Sequence, residues 1–232
     1  MKQIVSKFWI HFVCAILALW LWDTPVVKPF RVFVVLVHEM CHAGAALATG
    51  GEVVEIRVDW NESGQMTSQG GFYPVISTAG YVGSAFLGAL FIYSGSWGWV
   101  QRGLLTGIGG LTVAMSVLYT PMWGTDFWFG VGSGVLLTII GVRSAKAAMV
   151  VSTWIGVMLC LYSLYDFRTD LWMQTELTDA GLLAQHWGIP VLAYPIAFLW
   201  ATASIIVMVL AMKGVILRGA VVEKTRGEKS KA

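Results

Sequence analysis

Long apolar runs, separated by short polar segments, make up most of this 232-residue chain. Seven runs approach the ~20 residues that a helix needs to cross a bilayer. We place these spans at 4–22, 30–49, 73–93, 102–120, 127–142, 147–165 and 189–212. The pattern therefore predicts an all-α polytopic membrane protein with about six or seven transmembrane helices.

Two segments depart from the apolar pattern. In residues 51–72, Val54, Ile56 and Val58 alternate with polar residues, and this period of two predicts a β-strand. The letters "NESG" that follow indicate a turn into a second, shorter strand, so we expect a small β-hairpin loop after the second span. Residues 166–188 are acidic at first and amphipathic later, and we expect them to lie along the membrane interface.

The composition excludes a soluble protein. Hydrophobic residues make up 57% of the chain and charged residues 12%, whereas a soluble domain carries roughly 25% charged residues. The net charge of +2 carries no information about a nucleic-acid partner, and we expect none. Three scattered cysteines imply no disulfide framework. We interpret residues 1–217 as one transmembrane domain and residues 218–232 as a disordered basic tail.

His38, Glu39 and His42 form the sequence "HEMCH" within the second apolar span. Histidines four residues apart lie on one face of a helix, and HExxH uses this spacing to direct two imidazoles at one zinc ion. Glu39 is then placed to act as a general base. An ionisable residue at mid-membrane costs about 2.5–3.5 kcal/mol on insertion scales, so we interpret these residues as functional rather than as a polar cluster that joins helices.

A catalytic zinc site requires a third protein ligand. The candidates in the sequence are Asp126, Asp166, Asp179 and His186. We predict Asp126, because two crossings after the second span return the chain to the same side of the membrane, and "TPMWG" permits a turn back towards the histidines. The alternative is that Asp126 caps the next helix. Asp179 is the second choice as ligand, although "LTDAGLLAQ" is also typical of an ordinary N-cap.

Four features occur in an order that resembles the site-2 proteases, the intramembrane zinc metallopeptidases. They are "HEMCH", the β-rich loop, the small-residue stretch "STAGYVGSAFLGAL" and the segment "LYTPMWGTDFWFG". The chain is most similar to the compact bacterial members that lack PDZ and CBS domains. It departs from the family pattern where Tyr81 replaces a proline and where Phe127, rather than glycine, follows Asp126.

The resemblance implies a zinc metalloendopeptidase with one Zn²⁺ per chain, held by His38, His42 and Asp126, in a bacterial inner membrane. Its expected partners are a membrane-tethered protein substrate and the lipid bilayer. We expect an extended substrate to pair with the strand that contains Val54 and its alternating neighbours.

Two other classes of function stay open: an inactive metal-binding scaffold or chaperone of the same fold, and a transporter. The glutamate between the histidines argues against the first, and the lack of an internal repeat argues against the second.

The orientation in the membrane is open between two arguments. Lysines and arginines accumulate on the side that carries Lys28, Arg102, Arg143 and the tail, and the positive-inside rule places that side in the cytoplasm. The 51–72 loop would then face away from the cytoplasm. The family resemblance implies that this loop faces the cytoplasm instead.

Overall fold

The computed structural model describes the backbone of residues 2–95, 97–172 and 177–229, and the side chains of residues 8–95, 97–162, 165 and 177–218. Within this part the chain is helical apart from one two-stranded sheet. In order, the elements are α1 (Lys2–Trp20), α2 (Lys28–Ala48), β1 (Glu52–Val58), β2 (Gly64–Gln69), α3 (Tyr73–Thr78), a π-turn (Ala79–Gly83), α4 (Ser84–Ser94), α5 (Gly98–Tyr119), α6 (Thr125–Arg143), α7 (Ala145–Trp172), α8 (Asp179–His186), a 3₁₀ turn (Pro190–Leu192) and α9 (Ala193–Lys229).

Six helical segments are long and apolar enough to cross a membrane, which confirms the predicted fold class. They are Lys28–Ala48, Tyr73–Ser94, Gly98–Tyr119, Thr125–Arg143, Ala145–Tyr162 and Pro190–Arg218. A shorter apolar helix, Phe8–Trp20, corresponds to the first predicted span. The second of the six combines α3, the π-turn and α4 into one crossing.

Helix α2 lies at the centre of the molecule. Residues 32–37 are all apolar and all buried, and the helix contacts the hairpin, the π-turn, α4 and α7. Glycines let the neighbouring helices α5 and α6 approach closely: a Cβ atom on Gly109 would lie 2.7 Å from the carbonyl oxygen of Gly134. The central helix therefore carries its polar residues into a closely packed bundle.

The hairpin of β1 and β2 doubles back along α2 instead of extending away from the bundle. Its base lies at the end of α2, where Gly71 approaches the carbonyl oxygen of Ala46. Its tip reaches Arg31, where Glu62 forms an ion pair. The 17 positions between Arg31 and Ala48 correspond to about 26 Å along a helix. Irregular backbone is tolerated at this depth where protein buries it or a cavity borders it.

The predicted strand lies where it was expected, but buried and exposed side chains do not alternate regularly along it. Val54 is 52% exposed, whereas Ile56 and Val58 are buried in the core at 1% and 4%. The cause is a register shift between Val53 and Glu55, which places Val54 on the opposite face from Ile56. The side chains of Ile56 and Val58 thus pack in the core, and that of Val54 is exposed.

Helix α9 extends past residue 218, the expected start of the basic tail. Helix α9 continues to Lys229. The added segment contains no proline and is rich in glutamate, lysine and arginine, which are good helix formers. Residues 230–232 lie outside the described part of the chain.

Candidate active site

His38 and His42 lie one turn apart on the buried face of α2. Their Nε2 atoms are 3.0 Å apart, and both side chains are almost fully buried. The Nδ1–H group of His42 donates to the carbonyl oxygen of Ile76 on α3 at 2.6 Å. Because a carbonyl only accepts, this contact fixes the tautomer and leaves the Nε2 lone pair of His42 directed at His38.

Asp179 is the third member of this cluster. Its Oδ2 atom lies 3.0 Å from Nε2 of His38 and 3.1 Å from Nε2 of His42. Asp179 is the first residue of α8, and Thr178 before it caps the helix by accepting a hydrogen bond from the Gly181 N–H at 3.1 Å. Burial opposes ionisation of the Asp179 carboxyl, but the two histidines outweigh it and lower its pKa below the ordinary value.

The geometry of the three donor atoms suits a zinc ion. All three lie within 4.8 Å of one another, and they are His38 Nε2, His42 Nε2 and an Asp179 carboxylate oxygen. A tetrahedral zinc at 2.0–2.1 Å holds its ligand atoms about 3.3 Å apart, close to the observed separations. Two imidazoles and one carboxylate form a donor set typical of catalytic zinc, with the fourth position open.

Gly80, in the π-turn, keeps this space open. A Cβ atom at this position would lie 2.3 Å from Nε2 of His42 and 2.4 Å from Nε2 of His38. A side chain here would therefore occupy the place of a metal or displace its ligands. Single π-turns inside α-helices are frequent at functional sites, and this one presents bare backbone to the cluster.

Glu39 lies between α2 and the second strand of the hairpin. A Cβ atom on Gly64 would come within 2.4 Å of Glu39 Oε1, so only glycine fits there. The backbone of Met66 also lies against the carboxylate. Glu39, Gly64, Glu62, Tyr81 and Asp179 all border one cavity of about 210 Å³, which α7 also lines.

An ion pair holds the hairpin tip beside this cavity. Arg31 Nη2 lies 3.0 Å from Glu62 Oε1, and the guanidinium carbon is 5.5 Å from the Trp22 ring centroid. Burial raises the pKa of the Glu62 carboxyl, and Arg31 opposes that shift. Glu62 also has a positive φ of 72°, which is uncommon for a residue other than glycine. The tip is thus fixed by both its backbone and its charge.

The structure brings Asp179, the second choice as ligand, to the histidines and places the predicted ligand Asp126 in another helix. Asp126 lies in the first turn of α6, where its Oδ1 atom accepts a hydrogen bond from the Phe127 N–H at 3.0 Å. The number of crossings is the same in parity for the two aspartates, because α6 and α7 return the chain to the same side of the membrane. Packing decides instead: α8 packs against α3 and α9, and this places its first residue at the cluster.

The remaining two candidates are His186 and Asp166. His186, at the far end of α8, packs against the Tyr73 ring in a tilted arrangement with centroids 4.7 Å apart. The side chain of Asp166 lies outside the described part of the chain. The sequence reasoning also missed the roles of Gly64 and Gly80. In the sequence, Gly64 is recognisable only as the glycine that ends the hairpin turn. Gly80 is recognisable only as a glycine near the start of the small-residue span.

Comparison with known proteins adds one finding. The family model described as Peptidase M50B-like matches residues 11–211 of the chain, a range that includes the whole cluster from His38 to Asp179. No curated protein and no solved structure matches the chain.

Proposed function

The chain belongs to the Peptidase M50B-like family, and from this membership we propose that it is an intramembrane zinc metalloprotease acting on membrane-associated proteins. One observation carries the proposal. A group of metal-ligating side chains and a buried glutamate meet at a single cavity within a bundle of membrane helices. In a membrane such groups are costly, so their convergence favours catalysis over packing.

In this proposal His38, His42 and Asp179 hold one zinc ion. The fit rests on their donor atoms, which are 3.0–3.1 Å apart, and on the bare backbone of Gly80 beside them. When bound, zinc polarises the scissile carbonyl and lowers the pKa of water towards about 7. The hydrogen bond from His42 to Ile76 orients one imidazole for this task.

Glu39 is the general base. Its carboxylate removes a proton from water as the water oxygen bonds to the scissile carbonyl carbon. It then delivers that proton to the leaving nitrogen as the carbon–nitrogen bond breaks. The carboxylate ends in the state in which it began, as a catalyst requires. Its position one residue from His38 keeps it within reach of water beside the cluster.

An extended stretch of substrate would pair with the outer edge of β2. One edge of β2 is occupied by β1, which packs on α2 and α5, whereas Gly64 at the start of β2 lines the cavity next to Glu39. Addition of a strand at such an edge supplies main-chain hydrogen bonds and places a peptide bond at the site. A substrate helix must unwind locally before it can pair. The pairing edge proposed here is that of β2 rather than that of β1, the strand that contains Val54, Ile56 and Val58.

Glu39→Gln is the test that separates a protease from an inactive metal-binding scaffold or chaperone. Detergent-purified wild type should contain one zinc per chain and cleave a membrane-tethered substrate. Glu39→Gln should keep the zinc and lose turnover, because it removes the base and no ligand. Cys41→Ser, inside the same motif, is the matched control and should retain cleavage. Cleavage by Glu39→Gln at the wild-type rate would refute the mechanism.

The chain is a multi-pass membrane protein, and we assign it to the inner membrane of a bacterium. The support for this finer location is the resemblance to compact bacterial site-2 proteases. The substrate class follows from the location of the site: a protein that spans the bilayer or is tethered to it. Lipid surrounds the exposed apolar faces of α5, α6 and α9.

A further inference from the structure

Tyr81 occupies a position between the metal-ligating cluster and the last helix. Its ring meets the His38 ring edge to face, with centroids 5.3 Å apart, and lies against the Trp200 ring of α9 at 5.5 Å. The side chain is 5% exposed and lines the cavity that also contains Glu39. The π-turn produces this arrangement by placing Gly80 against the two histidines and Tyr81 directly after it.

The hydroxyl group of Tyr81 is uncommitted. It forms no hydrogen bond with any other residue that the structure describes. Its oxygen is also not one of the fully buried polar atoms that lack a partner in that part of the chain. A buried tyrosine hydroxyl normally finds a partner. Because Tyr81 lines the cavity, a hydrogen-bond partner for its hydroxyl group would be a molecule bound in that cavity.

The other cavity-lining groups have roles already. His38 and Asp179 belong to the metal-ligating cluster, and Glu39 is the base. Glu62 is paired with Arg31, and the Thr178 hydroxyl accepts the N–H of Gly181. The remaining lining residues are Val35, Gly64, Tyr162 and Leu177. Of the two tyrosines, Tyr81 contacts the ring of His38, and Tyr162 packs towards Trp22 with centroids 6.5 Å apart.

We propose that the Tyr81 hydroxyl donates a hydrogen bond to the oxyanion that develops on the scissile carbonyl, an inference that rests on the function proposed above. As the water oxygen bonds to the carbonyl carbon, the π-electron pair of the carbonyl moves to its oxygen. The released water proton goes to Glu39, and the phenol keeps its own proton throughout. Fixed donors aimed at developing charge stabilise the transition state more than the ground state. Tyr81 is therefore a catalytic residue that touches the reacting oxygen.

The decisive variant is Tyr81→Phe, because it removes the hydroxyl and retains the ring that packs between His38 and Trp200. Loss of one oxyanion donor lowers kcat by about 100-fold, and a contact made only in the transition state leaves KM within about twofold. Zinc content, measured by elemental analysis, should stay at the wild-type value. Tyr93→Phe is the matched control, since Tyr93 packs against Trp97 outside the cavity. This control should cleave at the wild-type rate.

A second measurement does not depend on turnover. A phosphinic peptide carries a tetrahedral phosphorus with two oxygens in place of the scissile bond. Its affinity for zinc-loaded Tyr81→Phe should fall by about the same 100-fold factor as kcat. The affinity of the uncut substrate peptide, measured in the Glu39→Gln background with and without Tyr81→Phe, should not change.

The outcomes separate the inference from the function on which it rests. Wild-type kcat and wild-type phosphinic peptide affinity in Tyr81→Phe would overturn the role of the hydroxyl alone. The same result together with zinc loss in Tyr81→Leu would assign the ring to positioning His38 and would also overturn it. Absence of cleavage by zinc-loaded wild-type protein would overturn the proposed function and this inference with it.

Discussion

A Cβ atom on Gly80 would lie 2.3 Å from Nε2 of His42, closer than real side chains approach. Gly80→Ala should therefore displace the histidines from the geometry that binds zinc. We expect the affinity for zinc to fall by about 10–100-fold, the range seen when metal ligands lose their orientation. Proteolytic activity should fall with it. Competition with a fluorescent chelator measures the affinity.

Gly44→Ala is the control for this change. Gly44 lies two residues beyond His42 on the same helix, and a Cβ atom there would meet nothing within 4 Å. This variant should bind zinc as the wild type does. Equal zinc affinity in Gly80→Ala and the wild type would show that the close approach has no bearing on the metal.

Substitution of Asp179 and of Asp126 should have different effects on the zinc content of the protein. Asp179→Ala removes a carboxylate that lies 3.0–3.1 Å from both imidazoles, so zinc occupancy and activity should be lost together. Asp126→Ala should keep its zinc, because Asp126 contacts the start of α6 instead. Elemental analysis of both purified variants tests this. Zinc loss in Asp126→Ala with full occupancy in Asp179→Ala would reverse the assignment.

Gly64→Ala should separate metal binding from catalysis. The atoms nearest to the added methyl would belong to Glu39 and Val35 rather than to a ligand of the cluster. Zinc should therefore stay bound, while displacement of the base by about 1 Å lowers kcat by about 100-fold. Gln65→Ala, an exposed neighbour in β2, is the control. Normal kcat in Gly64→Ala would show that the hairpin moves away from Glu39 during turnover.

The ion pair between Arg31 and Glu62 should behave as a coupled unit. Either Arg31→Met or Glu62→Leu alone leaves one largely buried charge without its partner, at a cost of about 3 kcal/mol. The double variant should recover most of that loss, because both partners are removed. Thermal unfolding of the four proteins in detergent completes the double-mutant cycle. Additive losses in the double variant would exclude coupling.

The family and the fold class could be predicted from the sequence, and the reasons are local. Apolar runs specify spans directly, and the spacing of His38, Glu39 and His42 places them on one helical face. The family match over residues 11–211 confirms the resemblance to the site-2 proteases. The alternation from Val54 to Val58 located a strand because a period of two is a property of neighbouring residues.

The third ligand and the cavity-lining residues depend on contacts between distant segments. Asp126 and Asp179 each precede or begin a helix, and both follow an even number of crossings after α2. Their local patterns are therefore alike, and only the packing of α8 on α3 and α9 distinguishes them. The single-residue register shift near Val54 cannot be predicted from the sequence either, although it reverses the face of the sheet on which the Val54 side chain lies.

The π-turn makes this region sensitive to chain length as well as to residue identity at Gly80. It contains one more residue than an α-helical turn, and each residue of an α-helix advances the following side chains by about 100°. Deleting one residue from Ala79–Gly83 would restore a regular helix and rotate α4 by that angle relative to Gly80. Gly88 would then leave the groove where it approaches Cys160 on α7. An insertion or deletion within this segment would therefore separate the catalytic face of the helix from the face that packs.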